Sequence, residues 1–167
     1  MKTLYLAGGC FWGIEHYFKQ VFCVTATEVG FANGNTEHPT YEEVYTDKTG
    51  FAETVRVEYD DQQADLEFML NLFFKAIDPT SMNQQGKDVG TRYRTGIYYT
   101  DEKELPMIHK VFAEQQARLS APIVVEIEPL RNFYPASEFH QDYLDKHTDG
   151  YCHLPLHLFK EAKEARP

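Results

Sequence analysis

The chain has 167 residues, which suits one domain and is short for two of ordinary size. With 43% hydrophobic and 25% charged residues it can bury a core, which excludes a disordered, collagen-like or disulfide-scaffold protein. The 26 acidic residues outnumber the 16 basic ones, and the net charge of −10 disfavours nucleic acids and anionic membrane surfaces as partners.

Apolar residues recur at spacings of two or of three and four along most of the chain, which predicts alternating strands and helices. In chain order, the strands are predicted over 3–7, 24–32, 52–59, 93–99 and 123–128. The helices are predicted over 11–21, 66–77, 105–119 and 137–146, with a short helical turn over 41–45. Glycine, proline and asparagine mark 33–50 and 80–91 as long loops.

Two strand–helix–strand units follow each other without a helix between them. This order predicts an α+β fold with a ferredoxin-like split βαβ core, in which helices pack on one mixed sheet. We expect residues 1–167 to form a single catalytic domain, with an irregular tail from about residue 147.

The ends of the chain give no sign of export. The apolar stretch over 3–14 is too short to span a bilayer, and the run over 6–10 resembles a lipoprotein cleavage box only faintly. We therefore predict a cytoplasmic protein. Its three cysteines are an odd number, and in a reducing compartment a cysteine pair is more often catalytic than structural.

Cys10 stands between a glycine pair that follows the first strand and the start of the first helix. Backbone N–H groups and the helix dipole stabilise negative charge there, so we expect a lowered thiol pKa and a nucleophilic sulfur. Phe11 and Trp12, the only tryptophan, would form an apolar pocket beside it. The alternative is a buried cysteine in an aromatic core.

Glu53 is the only charged residue on one face of the third predicted strand. Burial without a cationic partner would raise its pKa, so that it could donate a proton near neutral pH. The alternative is a carboxylate at the end of the strand that reaches solvent. Tyr41, Tyr93 and Asp88 lie in or beside the two long loops, although spacing alone does not select them among 11 tyrosines.

The other thiols differ in setting. Cys152 lies in a segment with glycine and proline that could bring it to an oxidised partner, although an incidental cysteine is the common alternative. Cys23 is separated from Cys10 by a helix and is expected to be a core residue. The histidines that lie near Cys152 in the sequence lack the paired spacing of a zinc site, so we expect no metal ion there. His16 points away from Cys10, and His140 is expected to be a structural hydrogen-bonding residue.

Several segments, in order, resemble the peptide methionine sulfoxide reductase A family. They are GGCFWG at 8–13, TYEEV at 40–44, TGFAE at 49–53, QGKDVGTRYR at 85–94, FYPA at 133–136 and HQDYL at 140–144. The chain departs from the family pattern at Phe51, where many relatives have histidine, and after Cys152, where a glycine-rich tail and a further cysteine are absent.

The resemblance implies reduction of the S epimer of methionine sulfoxide, protein-bound or free, as a repair of oxidative damage. Cys10 attacks the sulfoxide sulfur and becomes a sulfenic acid, and Phe11 and Trp12 hold the S-methyl group. Glu53 protonates the oxygen, Tyr41 and Tyr93 hydrogen-bond to it, and Asp88 positions the network. Cys152 then forms a disulfide with Cys10, which thioredoxin reduces.

No metal or organic cofactor is implied, and we expect a monomer. Two other functions stay open from the residues alone. A cysteine acyl-transferase or amidase would need a histidine base beside Cys10, and a non-catalytic module would bind methionine-containing peptides without using the thiol.

Overall fold

The computed structural model describes residues 1–167 as eight strands and six helices, with short 3₁₀ turns at Thr91–Tyr93, Glu102–Glu104 and Glu138–His140. The strands are β1 (Lys2–Gly8), β2 (Val24–Ala32), β3 (Ala52–Tyr59), β4 (Gln84–Gln85), β5 (Asp88–Val89), β6 (Thr95–Tyr99), β7 (Glu126–Pro129) and β8 (Phe133–Pro135). The helices are α1 (Phe11–Lys19), α2 (Tyr41–Tyr45), α3 (Leu66–Ala76), α4 (Leu105–Ala117), α5 (Tyr143–Lys146) and α6 (Leu156–Glu164).

Six strands form one mixed sheet in the order β7-β6-β1-β3-β2-β8, and β4 pairs with β5 as a separate hairpin. Every neighbouring pair in the large sheet is antiparallel except β6 and β7, which are parallel. The α+β class with a mixed sheet and packed helices is therefore confirmed. The centre of this sheet brings the end of β1 beside the start of β3, where the candidate residues lie.

The main core lies between one face of the sheet and the helices α1 and α3. Side chains along β1 alternate between the two faces of the sheet. Leu4 and Leu6 therefore enter this core, while Tyr5 and Ala7 join a small cluster on the opposite face. α5 and α6 pack against α1 from outside. None of the helices has both the length and the apolar character needed to cross a bilayer.

Local signals explain where several helices begin. Asp65 caps α3 by accepting the Phe68 N–H at 2.9 Å, and Pro106 stands in the first turn of α4, where a proline is tolerated. Thr40 and Glu43 form a capping box at α2, in which each side chain accepts the other residue's backbone N–H.

Several predicted elements have different bounds in the structure, mostly by one or two residues at an end. β7 begins at Glu126 and not at 123, because the N–H groups of Ile123 and Val124 donate to Gln116 and to the Pro79 carbonyl instead of the sheet. β6 begins at Thr95, after the turn Thr91–Tyr93. The helix predicted over 137–146 is interrupted.

The interruption occurs at Asp142, whose backbone has φ +54° and whose N–H donates to the carboxylate of Glu15 at 2.8 Å. Glu15 is buried on α1, and burial raises its pKa. A buried carboxylate thus replaces the hydrogen bond that a continuous helix would have made at this point.

The prediction of an irregular tail from about 147 was wrong for its second half, which forms α6. Pro155 stands directly before this helix, at a position that proline tolerates, and does not prevent a helix after it. Leu158, Phe159 and Ala162 share the face of α6 that packs on the main core. The edge strand β8 was not predicted, and its Pro135 stands at the edge of the sheet, where proline is accepted.

Candidate active site

Cys10 lies in the tight connection between β1 and α1. Gly9 before it has φ +92°, and a Cβ at that position would lie 2.7 Å from the Cβ of Gln85, so only glycine fits. Cys10 itself directly precedes the first residue of α1. The predicted order of strand, glycine pair, cysteine and helix is confirmed.

Glu53 meets Cys10 at the start of α1. Its side chain is 2% exposed, and its Oε1 accepts the backbone N–H of Phe11, the first residue of α1, at 3.1 Å. Burial raises the pKa of Glu53 to about 8, although the Phe11 N–H and the Arg92 guanidinium act in the opposite direction. Of the two interpretations of this residue, the buried one is confirmed, and the carboxyl group holds a proton at neutral pH.

The thiol of Cys10 is also buried, at 6% exposure. Burial raises its pKa well above the usual value, the Glu53 carboxylate adds to this rise, and the backbone N–H of Trp12 opposes it. The predicted lowering of the pKa was therefore wrong for the resting site. A helix terminus stabilises an anion by about 0.3–2 kcal/mol, whereas desolvation of a buried ion costs several kcal/mol.

Two tyrosines surround this pair. Tyr41 is the first residue of α2, and Tyr93 ends the turn Thr91–Tyr93 with only 6% exposure. Burial and the charge of Glu53 raise the pKa of both hydroxyls, and Cys10 acts on both in the same direction. Both hydroxyls therefore stay protonated and available as hydrogen-bond donors beside Cys10 and Glu53.

An ion pair that the sequence did not indicate holds the Tyr93 turn. Asp47 accepts the backbone N–H of Arg92 at 3.0 Å and one of its guanidinium nitrogens at 2.5 Å. The guanidinium carbon lies 4.1 Å from the ring centre of Tyr45 and 4.3 Å from that of Tyr93. The two residues are 45 positions apart, so the sequence gives no local signal that they form an ion pair.

An open groove of about 720 Å³ lies beside this cluster, with Trp12, Tyr41 and His140 among its lining residues. The indole N–H of Trp12 donates to Nδ1 of His140 at 3.2 Å, and the His140 ring stacks on Tyr41 with centroids 4.4 Å apart. His140 is thus a structural hydrogen-bonding residue, as predicted. Phe11 is fully buried beneath, and it does not line the groove.

Cys152 lies against the first turns of α1. A Cβ on Gly13, three residues after Cys10, would be 3.1 Å from the Sγ of Cys152. Cys152 is half-buried, and both thiols are free. The structure therefore brings the C-terminal thiol to within about one helical turn of Cys10.

Asp88 joins the hairpin β4–β5 to the segment that carries Cys152. One of its oxygens accepts the hydroxyl of Tyr151 at 3.0 Å, whereas the other is buried without a partner. The charge of Asp88 contributes to the raised pKa values of Cys10 and Glu53. Asp88 therefore raises the pKa values of the site electrostatically, and its hydrogen bond holds the segment that carries Cys152.

The remaining candidate residues lie elsewhere. Cys23 is buried in the core, with its Sγ 3.6 Å from the Sδ of Met69. His16 faces away from Cys10, with its Nδ1 3.3 Å from Asp145. No group of three or more His, Cys, Asp or Glu side chains is arranged to hold a metal ion.

The arrangement combines a thiol, a protonated carboxyl group and two hydroxyl donors beside an aromatic groove. It suits a reaction in which a sulfur nucleophile attacks while an oxygen atom of the substrate accepts a proton. A second thiol lies near enough to intercept an oxidised first one.

Comparisons with known proteins agree with this chemistry. Over residues 2–166 the sequence matches the family described as Peptide methionine sulfoxide reductase. It is 54% identical over 161 residues to the peptide methionine sulfoxide reductase MsrA of Clostridium acetobutylicum, covering 96% of this chain and 99% of that protein. It is similar to the crystal structure of reduced Mxr1 from Saccharomyces cerevisiae, with a TM-score of 0.86, 38% identity, and coverage of 90% and 88% of the two chains. The structure of Mxr1 in complex with Trx2 is similar with a TM-score of 0.61 and 28% identity, covering 85% and 84%.

Proposed function

The chain belongs to the peptide methionine sulfoxide reductase family, and on this premise we propose that it reduces methionine S-sulfoxide by the roles set out below. The observation that carries the proposal is the contact of Glu53 with the N–H of Phe11 directly beside Cys10. A sulfoxide is a poor electrophile until its oxygen is protonated. A buried carboxyl group with a pKa of about 8 can supply that proton at neutral pH.

The groove beside Cys10 would receive the methionine side chain. Trp12, which lines the groove, would contact the S-methyl group, and Phe11 would pack behind it in the buried aromatic cluster. The hydroxyls of Tyr41 and Tyr93 would donate to the sulfoxide oxygen, and burial, with a smaller contribution from the charge of Asp88, would keep Glu53 protonated. A polar oxygen on an apolar thioether fits such a site better than it fits a uniformly polar or apolar one.

The chemical step moves one oxygen atom. Cys10 Sγ attacks the sulfoxide sulfur while Glu53 gives its proton to the oxygen, and the proton of the Cys10 thiol restores the Glu53 carboxyl group. The S–O bond of the substrate then breaks, and the hydroxyl group adds to Cys10 Sγ as the transient bond between the two sulfur atoms breaks, so that Cys10 becomes a sulfenic acid. The substrate sulfur gains two electrons, Cys10 loses two, and methionine leaves.

Cys152 would then condense with the sulfenic acid to give a Cys10–Cys152 disulfide and water. Thioredoxin would reduce this disulfide and return both thiols to the free state that the structure contains. The similar yeast protein is known in a complex with Trx2, which supports this source of electrons.

Replacing Cys152 with serine is expected to limit the enzyme to one turnover with thioredoxin as reductant. About one equivalent of methionine should form per enzyme, because the sulfenic acid has no partner thiol. Chromatographic measurement of methionine against enzyme concentration tests this. Cys23→Ala, which removes the thiol of the core, should keep full turnover. Continued turnover by Cys152→Ser at the unmodified rate would remove Cys152 from its role.

Gly13→Ala is expected to slow formation of the Cys10–Cys152 disulfide while leaving the first methionine release unchanged. The new methyl group would lie 3.1 Å from Cys152 Sγ and 3.2 Å from the His153 ring, so the segment carrying Cys152 must move outward. We expect roughly a tenfold slower second step, which corresponds to about 1.4 kcal/mol. Rapid quenching followed by thiol counting measures it. An unchanged rate of disulfide formation would contradict this expectation.

The fold type, the oligomeric state and the cellular compartment are also part of this proposal. The order β6-β1-β3-β2 and the antiparallel pairing support a ferredoxin-like split βαβ core within one catalytic domain spanning 1–167. We propose that the protein works as a cytoplasmic monomer without metal or organic cofactor. There it would repair oxidised methionine in proteins and reduce the free amino acid sulfoxide.

A further inference from the structure

The ring of His153 is inserted beside Cys10 and Cys152. Its Nε2 lies 3.2 Å from the position that a Cβ on Gly9 would take, and its Nδ1 lies 3.2 Å from the corresponding position on Gly13. Gly9 directly precedes Cys10, and the Gly13 position is also 3.1 Å from Cys152 Sγ. The imidazole therefore packs against the residue that precedes Cys10, and its Nδ1 and the Sγ of Cys152 lie at the same spot beside Gly13.

Both ring nitrogens of His153 are shielded from solvent, and neither has a partner at full hydrogen-bond geometry, although the Gly8 carbonyl lies close enough to raise the pKa of the ring. Unpaired buried nitrogens cost free energy, so their presence at a reacting site calls for a reason beyond packing. Catalytic hydrogen bonds are often incomplete in a resting site and close only when the reacting groups approach. The lone pair of His153 is thus free to accept a proton from an approaching thiol.

Taking the proposed function as given, we infer that His153 accepts the thiol proton of Cys152 as this residue attacks the Cys10 sulfenic acid. The Cys152 S–H bond breaks, a Cys10–Cys152 S–S bond forms with the electron pair of the Cys152 sulfur, and the S–O bond of Cys10 breaks. The hydroxyl group leaves with the proton returned by the imidazole, so the products are a disulfide and one water molecule. No outside oxidant or reductant enters this step.

The surroundings of His153 favour the neutral form of its imidazole, which is the form that can accept a proton. Burial lowers the pKa of His153 below the usual histidine value, whereas the charge of Asp88 and the Gly8 carbonyl act in the opposite direction. The other titratable groups facing this region are the Cys10 and Cys152 thiols, whose pKa values are raised by burial, and Tyr151, which donates to Asp88. At neutral pH the ring is therefore a base beside two protonated sulfur groups.

The test separates the two chemical steps in one experiment. Reduced enzyme is mixed with one equivalent of a methionine sulfoxide peptide, and samples quenched over time are analysed for released methionine and for remaining thiols. In His153→Gln, methionine release should keep its rate, whereas disulfide formation should slow by roughly 10²-fold, in the range expected for loss of a general base. His157→Gln, at an exposed position on α6, is the matched control and should change neither rate.

The pH profile distinguishes a proton acceptor from a packing residue. In the unmodified enzyme, disulfide formation should rise with pH through an inflection below the usual histidine pKa and then level off, because only the neutral ring accepts a proton. In His153→Gln the inflection should vanish, and the rate should rise throughout with the Cys152 thiolate. Imidazole added to His153→Ala should restore part of the lost rate.

Disulfide formation within twofold of the unmodified rate in His153→Gln would overturn the inference, as would equal slowing of both steps. An inflection that survives the substitution would also overturn it. None of these outcomes touches the proposed function, which fails separately if the unmodified enzyme releases no methionine from the sulfoxide peptide.

Discussion

Replacing Cys10 with serine is expected to lower the rate of methionine sulfoxide reduction by roughly 10⁴-fold or more, the scale seen when an enzyme loses its nucleophile. A serine oxygen cannot take up the oxygen atom of the sulfoxide as sulfur does. Its hydroxyl is also less acidic than a thiol whose pKa is already raised by burial. Methionine release in a single turnover is the measurement.

The matched control for this substitution is Cys23→Ala, because Cys23 is also a buried thiol and lies in the core against Met69. It should keep the single-turnover rate and lose only stability. Reduction by Cys10→Ser at more than a few per cent of the unmodified rate would show that another residue is the nucleophile.

Replacing Glu53 with glutamine is expected to slow the sulfoxide step by roughly 10²–10⁴-fold, because the amide cannot give a proton to the departing oxygen. The amide oxygen can still accept the N–H of Phe11, so the start of α1 should stay in place. In the unmodified enzyme the single-turnover rate should fall as pH rises through about 8, where Glu53 loses its proton. The variant should lack this fall. An unchanged single-turnover rate at pH 7 would remove Glu53 as the acid.

The same substitution should stabilise the protein. The pKa of Glu53 is about 8 in the folded chain against 4.5 for an ordinary glutamate, so the folded state holds the proton more tightly. The stability contributed by the protonated group is complete below pH 4.5 and is lost as pH rises to about 8. At pH 7 the loss is about 3 kcal/mol, and Glu53→Gln should recover most of it. Urea unfolding at pH 4 and pH 7 measures the difference, which should be close to zero at the lower pH.

The features that could be predicted from sequence are those set by neighbouring positions. The alternation along β3 placed Glu53 on the buried face, and the glycine pair placed Cys10 at the start of α1. The apolar spacing of α3 and the short helical turn that begins at Tyr41 were likewise readable, whereas Tyr93 was predicted to begin a strand and lies in the turn before it. In each case the signal lies within about ten residues, which is the range over which local periodicity operates.

The features that could not be predicted depend on packing between distant segments. The thiol pKa of Cys10 followed burial and not the helix terminus, and burial is known only after the sheet, α1 and the C-terminal segment are assembled. Asp47 meets Arg92 across 45 positions. His153 reaches Gly9 and Gly13 from the other end of the chain, and no local pattern connects them.

The depth of Cys10 has a consequence for which damaged proteins can be repaired. Only 6% of its surface is exposed and it does not line the groove, so under the proposed function a substrate side chain must extend inward past Trp12 and Tyr41 to reach its sulfur. A methionine sulfoxide locked into the surface of an intact domain would therefore be turned over slowly. Oxidised methionines in flexible termini or in regions already unfolded by oxidation would be repaired first. The depth of the site would therefore make the enzyme selective for substrate proteins that are partly unfolded.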